Sequence, residues 1–359
     1  MNKPLLFLMS TSLFGLVVLI LFAQPKLEGS VSLPSLIPRE PLTILAVGDI
    51  NLGRQNGERI DRGEILYPFQ QSLELIRGAD IAFGNLESQL RDTKVFQDPQ
   101  SEYRFSGPLK GARSLKEAGF DIISVANNHM WDYGWAGLES TIGALRGVAL
   151  PYAGAAIEKE QRFFPVVIEQ KGWRVGFFAL TDFINGYEKI GAADCIAHLN
   201  DLGQILESIA QAKNTLDLVI VSFHNGTEYS ATPLPRSKKV ARQLIDAGAD
   251  VVLGHHPHVV QRVEEYLSNS GQPDFAKASP GEQVARKGII FYSLGNFAFW
   301  QPFTFWTKHG LAVELTLNEP HKPSYKLIPI RAGWQPALLE DEGDKETLLK
   351  RVMPEATPR

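Results

Sequence analysis

The sequence predicts an α/β fold in which buried strands alternate with amphipathic helices. Three observations carry this. Short apolar runs such as Leu42–Val47 (LTILAV), Asp217–Phe223 (DLVIVSF) and Asp250–Leu253 (DVVL) have strand length without alternation, as strands covered on both faces require. Stretches with helical spacing, Leu202–Lys213 and Pro235–Ala247 among them, separate the runs in the rhythm of repeated strand and helix units. Most runs also end in a polar cluster, and in such sheets ligands sit beyond the carboxyl ends of the strands.

Composition sets the limits. The 359 residues supply ample material for a core, and 44% hydrophobic with 21% charged residues is ordinary for a globular chain. A formal net charge of −4 without a long basic stripe excludes nucleic acid as the expected partner. The single cysteine, Cys195, cannot form an internal disulfide and has no zinc-finger spacing, so it reads as core filler.

Taken in order, residues 1–23 form a membrane anchor or signal. Lys3 precedes Leu5–Ala23, an uncharged run long enough to span a bilayer as a helix. The run is long for a signal peptide and Phe22-Ala23-Gln24-Pro25 is a poor cleavage site, which favours an uncleaved single-pass anchor. The body then lies on the extracytoplasmic side of the cell membrane. Residues 24–41 form a Pro-rich linker, 42–333 one folded domain and 334–359 a C-terminal tail, with the charged end from Leu339 readable as helix or tail.

Within the domain, Leu42–Val47 is a strand ending in Gly48-Asp49-Ile50-Asn51-Leu52-Gly53-Arg54. Tyr67–Arg77 has a helical pattern, and Asp80–Phe83 is a strand ending in Gly84-Asn85-Leu86-Glu87. Pro108–Ala118 reads as a helix and Phe120–Ala126 as a strand ending in Asn127-Asn128-His129, followed by Asp132-Tyr133-Gly134. Trp135–Arg146 is helical, and Phe163–Glu169 with Trp173–Leu180 form a strand pair turning at Lys171-Gly172. Asp217–Phe223 leads to His224, Asn225, Gly226 and Glu228, and Asp250–Leu253 leads to Gly254-His255-His256-Pro257-His258. Ser268–Lys287 is a polar excursion, Gly288–Leu294 a strand ending in Gly295-Asn296-Phe297, and Leu311–Leu317 and Tyr325–Ile330 are later strands. The aromatic loop of Trp300, Phe303, Phe305 and Trp306 is expected to pack into the core.

Carboxyl ends of parallel strands lie along one sheet edge, so Asp49, Asn85, Glu87, Asn128, His129, His224, His256 and His258 should converge there. Oxygen and nitrogen donors without thiolate suit Mn, Fe or Zn better than copper. Eight candidates exceed the needs of one ion and point to two divalent metal ions. His256 and His258, two apart on an extended segment, would face one ion together; His255 stays open as the alternative.

These motifs, in this order, resemble the poly-gamma-glutamate capsule biosynthesis CapA family over roughly Leu42–Leu317. They are Gly48-Asp49 to Gly53-Arg54, Asn85-Leu86-Glu87, Asn127-Asn128-His129 with Asp132-Tyr133-Gly134, His224 with Gly226 and Glu228-Tyr229, Gly254 to Gln261, and Ser293–Phe297. The resemblance implies a calcineurin-like metallophosphoesterase fold, a four-layer α/β/β/α sandwich, behind one N-terminal transmembrane helix. It implies Asp49, Glu87, Asn128, His224, His256 and His258 as metal ligands and His129 as general acid or substrate clamp. Asp132 would either orient His129 or cap the helix near Trp135. Arg54, Asn85, Glu228 and His255 are the residues expected to touch substrate.

Two positions depart from the pattern. Asn51 stands where phosphoesterases place a histidine two residues after the aspartate, and Asn225 stands where the family usually has tryptophan. The expected function is a metal-dependent hydrolase or transferase in capsule-type polymer formation, acting on an anionic polymer or a phosphoester alongside other synthase subunits. The competing function is a non-catalytic scaffold of a polymer synthase.

Overall fold

Apolar runs with no polar face need cover on both sides, and the chain supplies it by stacking two sheets. The computed structural model describes residues 39–186, 193–268 and 286–353. Most of the polar excursion 268–287 and all of the expected anchor lie outside the described residues. Among the described residues no helix is long and apolar enough to cross a membrane.

The first half of the domain runs β1 (Leu42–Ile50), α1 (Arg54–Asp61), α2 (Leu73–Arg77), β2 (Ile81–Leu86), β3 (Gln89–Arg91), β4 (Ser106–Pro108), α3 (Lys110–Ala118), β5 (Ile122–Ser124), α4 (Gly134–Gly147) and β6 (Tyr152–Ala153). The second runs β7 (Val166–Gln170), β8 (Trp173–Thr181), α5 (Leu202–Lys213), β9 (Leu218–His224), α6 (Pro235–Ala247), β10 (Val251–His255), β11 (Val263–Leu267) and β12 (Lys287–Phe291). The chain then forms β13 (His309–Leu317), β14 (Pro323–Arg331), β15 (Ala337–Leu338) and α7 (Glu342–Val352).

The first sheet has the order β15-β14-β13-β1-β2-β5-β6 and the second β11-β12-β10-β9-β8-β7. Strands β1, β2, β5 and β6 are parallel, as are β8, β9, β10 and β12. Antiparallel neighbours close both: β13 pairs with β1, β7 with β8 and β11 with β12. The β7–β8 turn is tight because Lys171 and Gly172 both take positive φ, the geometry a two-residue hairpin favours.

One core is shared by the sheets. Phe83 of β2 stacks on Phe177 of β8 with centroids 5.9 Å apart and planes 5° from parallel. The first sheet shares this core with Leu115 of α3 and Leu138 and Ile142 of α4. A separate cluster lies where α5 and α6 lay Ile205, Ile209, Leu244 and Ile245 against Val219, Val221 and Val252. Cys195 is buried, as core filler should be.

Several expectations change. The polar strand ends do not share one sheet edge: β1, β2 and β5 belong to one sheet and β9 and β10 to the other. Asp49 bonds His255, and Asn85 lies against His224, so the carboxyl ends of two sheets meet. Tyr67–Arg77 is not one helix but a 3-10 turn, Tyr67–Phe69, and short α2; Ser72 Oγ bonds back to the Phe69 carbonyl between them. Helix α1 begins at Arg54, the last residue of the first motif, where no helix was expected. Residues 334–353 pack onto the domain: β15 pairs with β14, and α7, the helix that the charged end from Leu339 allowed, buries Leu348 and Val352.

Candidate metal centre

Strand β1 carries Asp49 past a register shift between Ala46 and Asp49, a bulge that re-aims the strand end. Gly48 is required here, because a Cβ would meet the Gly295 carbonyl oxygen at 2.0 Å. The neighbouring loop is bonded on both sides, Asp49 N to Gly295 O at 3.0 Å and Phe297 N to Asp49 O at 2.9 Å. The buried Asp49 carboxylate is fully used: Oδ1 accepts from Asn85 Nδ2 (2.9 Å) and lies 3.1 Å from His255 Nδ1, and Oδ2 lies 3.1 Å from His258 Nδ1. Burial alone would raise its pKa, but the hydrogen bonds from His255 and His258 outweigh it and hold the group well below the carboxylate range.

Glu87, just past β2, is the opposite case. It is fully buried, and neither carboxylate oxygen has a hydrogen-bond donor among the described residues. His224 Nε2, His258 Nε2 and His129 Nε2 stand 3.5, 3.6 and 4.0 Å from its Oε1. Burial first, then the charges of Asp49, Glu228 and Asp132, push its pKa well above normal.

Beyond β5, Asn127 caps the 3-10 turn Asn128–Trp131 by accepting from His129 N at 3.2 Å, and Asn128 Oδ1 lies 2.8 Å from His224 Nε2. His129 Nδ1 lies 2.8 Å from Asp132 Oδ2, which also accepts from Phe105 N at 2.7 Å. Helix α4 has Tyr133 at its N-cap and no side-chain cap, so Asp132 orients His129 and does not cap the helix.

His224 and His255 end β9 and β10 in register with one another. The strand stops at His255, and His256 and His258 take φ of 97° and 56°, so strand alternation is not what brings them together. Of seven non-glycine residues with positive φ among the described residues, Arg54, Tyr229, His256 and His258 belong to this neighbourhood, as backbone strain at functional sites does. His256, not His255, joins Glu87 and His258; His255 stands behind Asp49. Two donor sets result, Glu87/His256/His258 and Asp49/Glu87/His224, each with ligand atoms within 4.8 Å of one another. Glu87 is common to both.

The residues fit divalent metal ions. A buried anion with no donor is what a cation would satisfy, and His256 Nδ1 is likewise buried without a partner among the described residues. Burial, then the neighbouring His256, holds His224 well below the usual imidazole value. Burial, then His258, brings His256 down to about 3. Both are therefore neutral near pH 7, the form that ligates.

Arg54 and Glu228 lie outside the cluster of ligand atoms. The Arg54 guanidinium stacks 4.9 Å from the Phe105 ring and donates to the Glu102 carbonyl, while Glu228 is exposed. Phe303, expected in the core, is 65% exposed and packs edge-on to Tyr229; half-buried Trp306 packs against the core, whereas half-buried Trp300 packs on Trp334 instead. Asn185 had no sequence signal, yet its Nδ2 donates to Asp132 Oδ1 at 3.0 Å. Asn296, which had no expected role within the Ser293–Phe297 motif, stands 3.0 Å from His258 Nδ1. Asn51 Oδ1 accepts from Gly53 N at 2.8 Å, so the residue in the histidine's place holds the turn.

Residues 43–301 match the family model of the bacterial capsule synthesis protein PGA_cap. The chain belongs to this family. Among PGA_cap relatives, it is 33% identical over 297 residues to the capsule biosynthesis protein CapA of Bacillus anthracis, covering 81% of this chain and 67% of that one. It is 27% identical to the PGA biosynthesis protein CapA of Bacillus subtilis (strain 168), covering 79% and 70%. A 5'-nucleotidase precursor from Thermus thermophilus overlaps with a TM-score of 0.46 and 15% identity, covering 87% of this chain and 58% of that one. The family agrees with the resemblance drawn from the sequence.

Proposed function

We propose that this PGA_cap chain is a metal-dependent hydrolase or transferase of capsule-type polymer synthesis, built on an α/β/β/α sandwich of the metallophosphoesterase type. The observation that carries this is Glu87: a buried carboxylate with no hydrogen-bond donor, common to two donor sets. Asp49, Glu87, Asn128, His224, His256 and His258 would hold two divalent ions, Mn, Fe or Zn. When bound, such ions activate water and polarise a substrate oxygen. Asp132 accepts from His129 Nδ1, which directs Nε2 toward Glu87; a second proton taken up at Nε2 can then pass to a leaving oxygen. Arg54 offers a fork for carboxylate or phosphate at the outer side, with Asn85 and His255 keeping Asp49 in place.

The substrate class is an anionic polymer, cleaved at a gamma-glutamyl amide, or a phosphoester, with other synthase subunits as partners. The body works outside the cell membrane on its N-terminal anchor. Elemental analysis of the purified chain should find divalent metal, lost in His258→Ala; a chain without metal whose His258→Ala variant behaves like wild type sinks this reading. The second reading, a scaffold for a synthase, is favoured by Asn51, which is bonded to Gly53 N where phosphoesterases have a histidine. Turnover of a generic phosphoester or a gamma-glutamyl oligomer, abolished in Asp49→Asn, would remove it.

A further inference from the structure

We propose that Asn296 is a positioning residue that sets the ring of His258 for ion binding, an inference that rests on the metal-centre reading. Asn296 is fully buried in the loop after β12. Its Nδ2 donates to the Thr307 carbonyl and to Gln301 Oε1, both at 3.0 Å. A backbone carbonyl can only accept, so the amide nitrogen must face Thr307 and the amide oxygen must face His258. That oxygen lies 3.0 Å from His258 Nδ1.

The second neighbour of Nδ1, Asp49 Oδ2 at 3.1 Å, is also an acceptor. Two acceptors on one ring nitrogen require Nδ1 to carry the proton, which leaves the Nε2 lone pair free on the side of Glu87, 3.6 Å away. The two acceptors are tied to each other through the backbone, where Asp49 bridges Asn296 and bonds both residues that flank it. Gln301, which holds the amide, reaches the Tyr229 hydroxyl at 3.5 Å, so the arrangement extends from the ligand cluster to a half-exposed ring. Partners behind a ligating imidazole fix its tautomer and direction, and their loss costs about 10–100-fold in metal affinity.

The test titrates the full chain with Co2+, whose visible absorption reports ligand geometry, alongside thermal unfolding of the metal-free protein. Asn296→Ala should weaken Co2+ by about 10–100-fold and change the spectrum. Asn296→Asp keeps an acceptor for Nδ1 and should stay near wild type in affinity. Both variants lose the donor to Thr307 and should unfold at lower temperature. Affinity that separates the two variants while their stabilities fall together supports positioning. Wild-type affinity in Asn296→Ala, or losses in both variants that track thermal stability, overturns the role of Asn296 alone. A wild-type chain that binds no Co2+ overturns it together with the metal centre.

Discussion

The ends of β1 and β2 each carry one fully buried carboxylate, and the two are treated in opposite ways. Asp49 is surrounded by Asn85, His255 and His258 and is held ionised; Glu87 receives no hydrogen bond and is pushed toward the neutral form. Burial is the same for both, so the donors make the difference. Satisfied, Asp49 serves the fold whether or not it also holds an ion. Unsatisfied, Glu87 is a cost to the fold that, on the proposed reading, a bound cation would offset.

The largest break in this comparison comes from Asp49→Asn. It removes the charge that His255 and His258 are built around and should cost about 3–5 kcal/mol of stability in urea unfolding. A loss under 1 kcal/mol would mean that Asp49 is not structural. Next, divalent metal at about 100 times its dissociation constant should stabilise the chain by about 2.7 kcal/mol, reversed by chelator. Glu87→Gln should do the reverse of Asp49→Asn, stabilising the metal-free chain by about 1–3 kcal/mol while abolishing ion binding. An unchanged or lowered midpoint would show that the carboxylate is not a liability.

The smallest effect sharpens the contrast through pH. Glu87 has a raised folded pKa, so its contribution is fully present below the unfolded value of about 4.3 and is lost as pH rises. Asp49 has a depressed folded pKa, so its contribution holds above about 3.9 and is lost as pH falls. His224 and His256 are also depressed; theirs holds above about 6.5 and fades as pH falls. The stability advantage of metal-free Glu87→Gln over wild type should therefore be near zero at pH 4 and grow toward pH 7. Unfolding midpoints at the two pH values decide it, and a constant difference refutes the assignment.

Much of the fold was legible because its signals are local. Leu202–Lys213 and Pro235–Ala247 form helices with the bounds their spacing suggested, and the Lys171-Gly172 turn joins the two strands expected there. The division into two sheets was not readable from the strands themselves, since a buried strand has the same composition in either sheet. In the site, Asp49, Glu87, His224, His256 and His258 announced themselves as polar groups ending apolar runs. Asn185 carried no such signal, because its role depends on a loop after β8 reaching Asp132 across the chain.

The sequence by itself determined the strand-and-helix rhythm, the family motifs and the identity of the polar strand ends, all of which depend on neighbours along the chain. Tertiary structure alone decided which of His255 and His256 joins Glu87, that Asp132 serves His129, and that one buried carboxylate is satisfied while the other is not. Those outcomes depend on left-handed backbone at His256 and His258 and on donors arriving from distant segments, and spacing encodes neither.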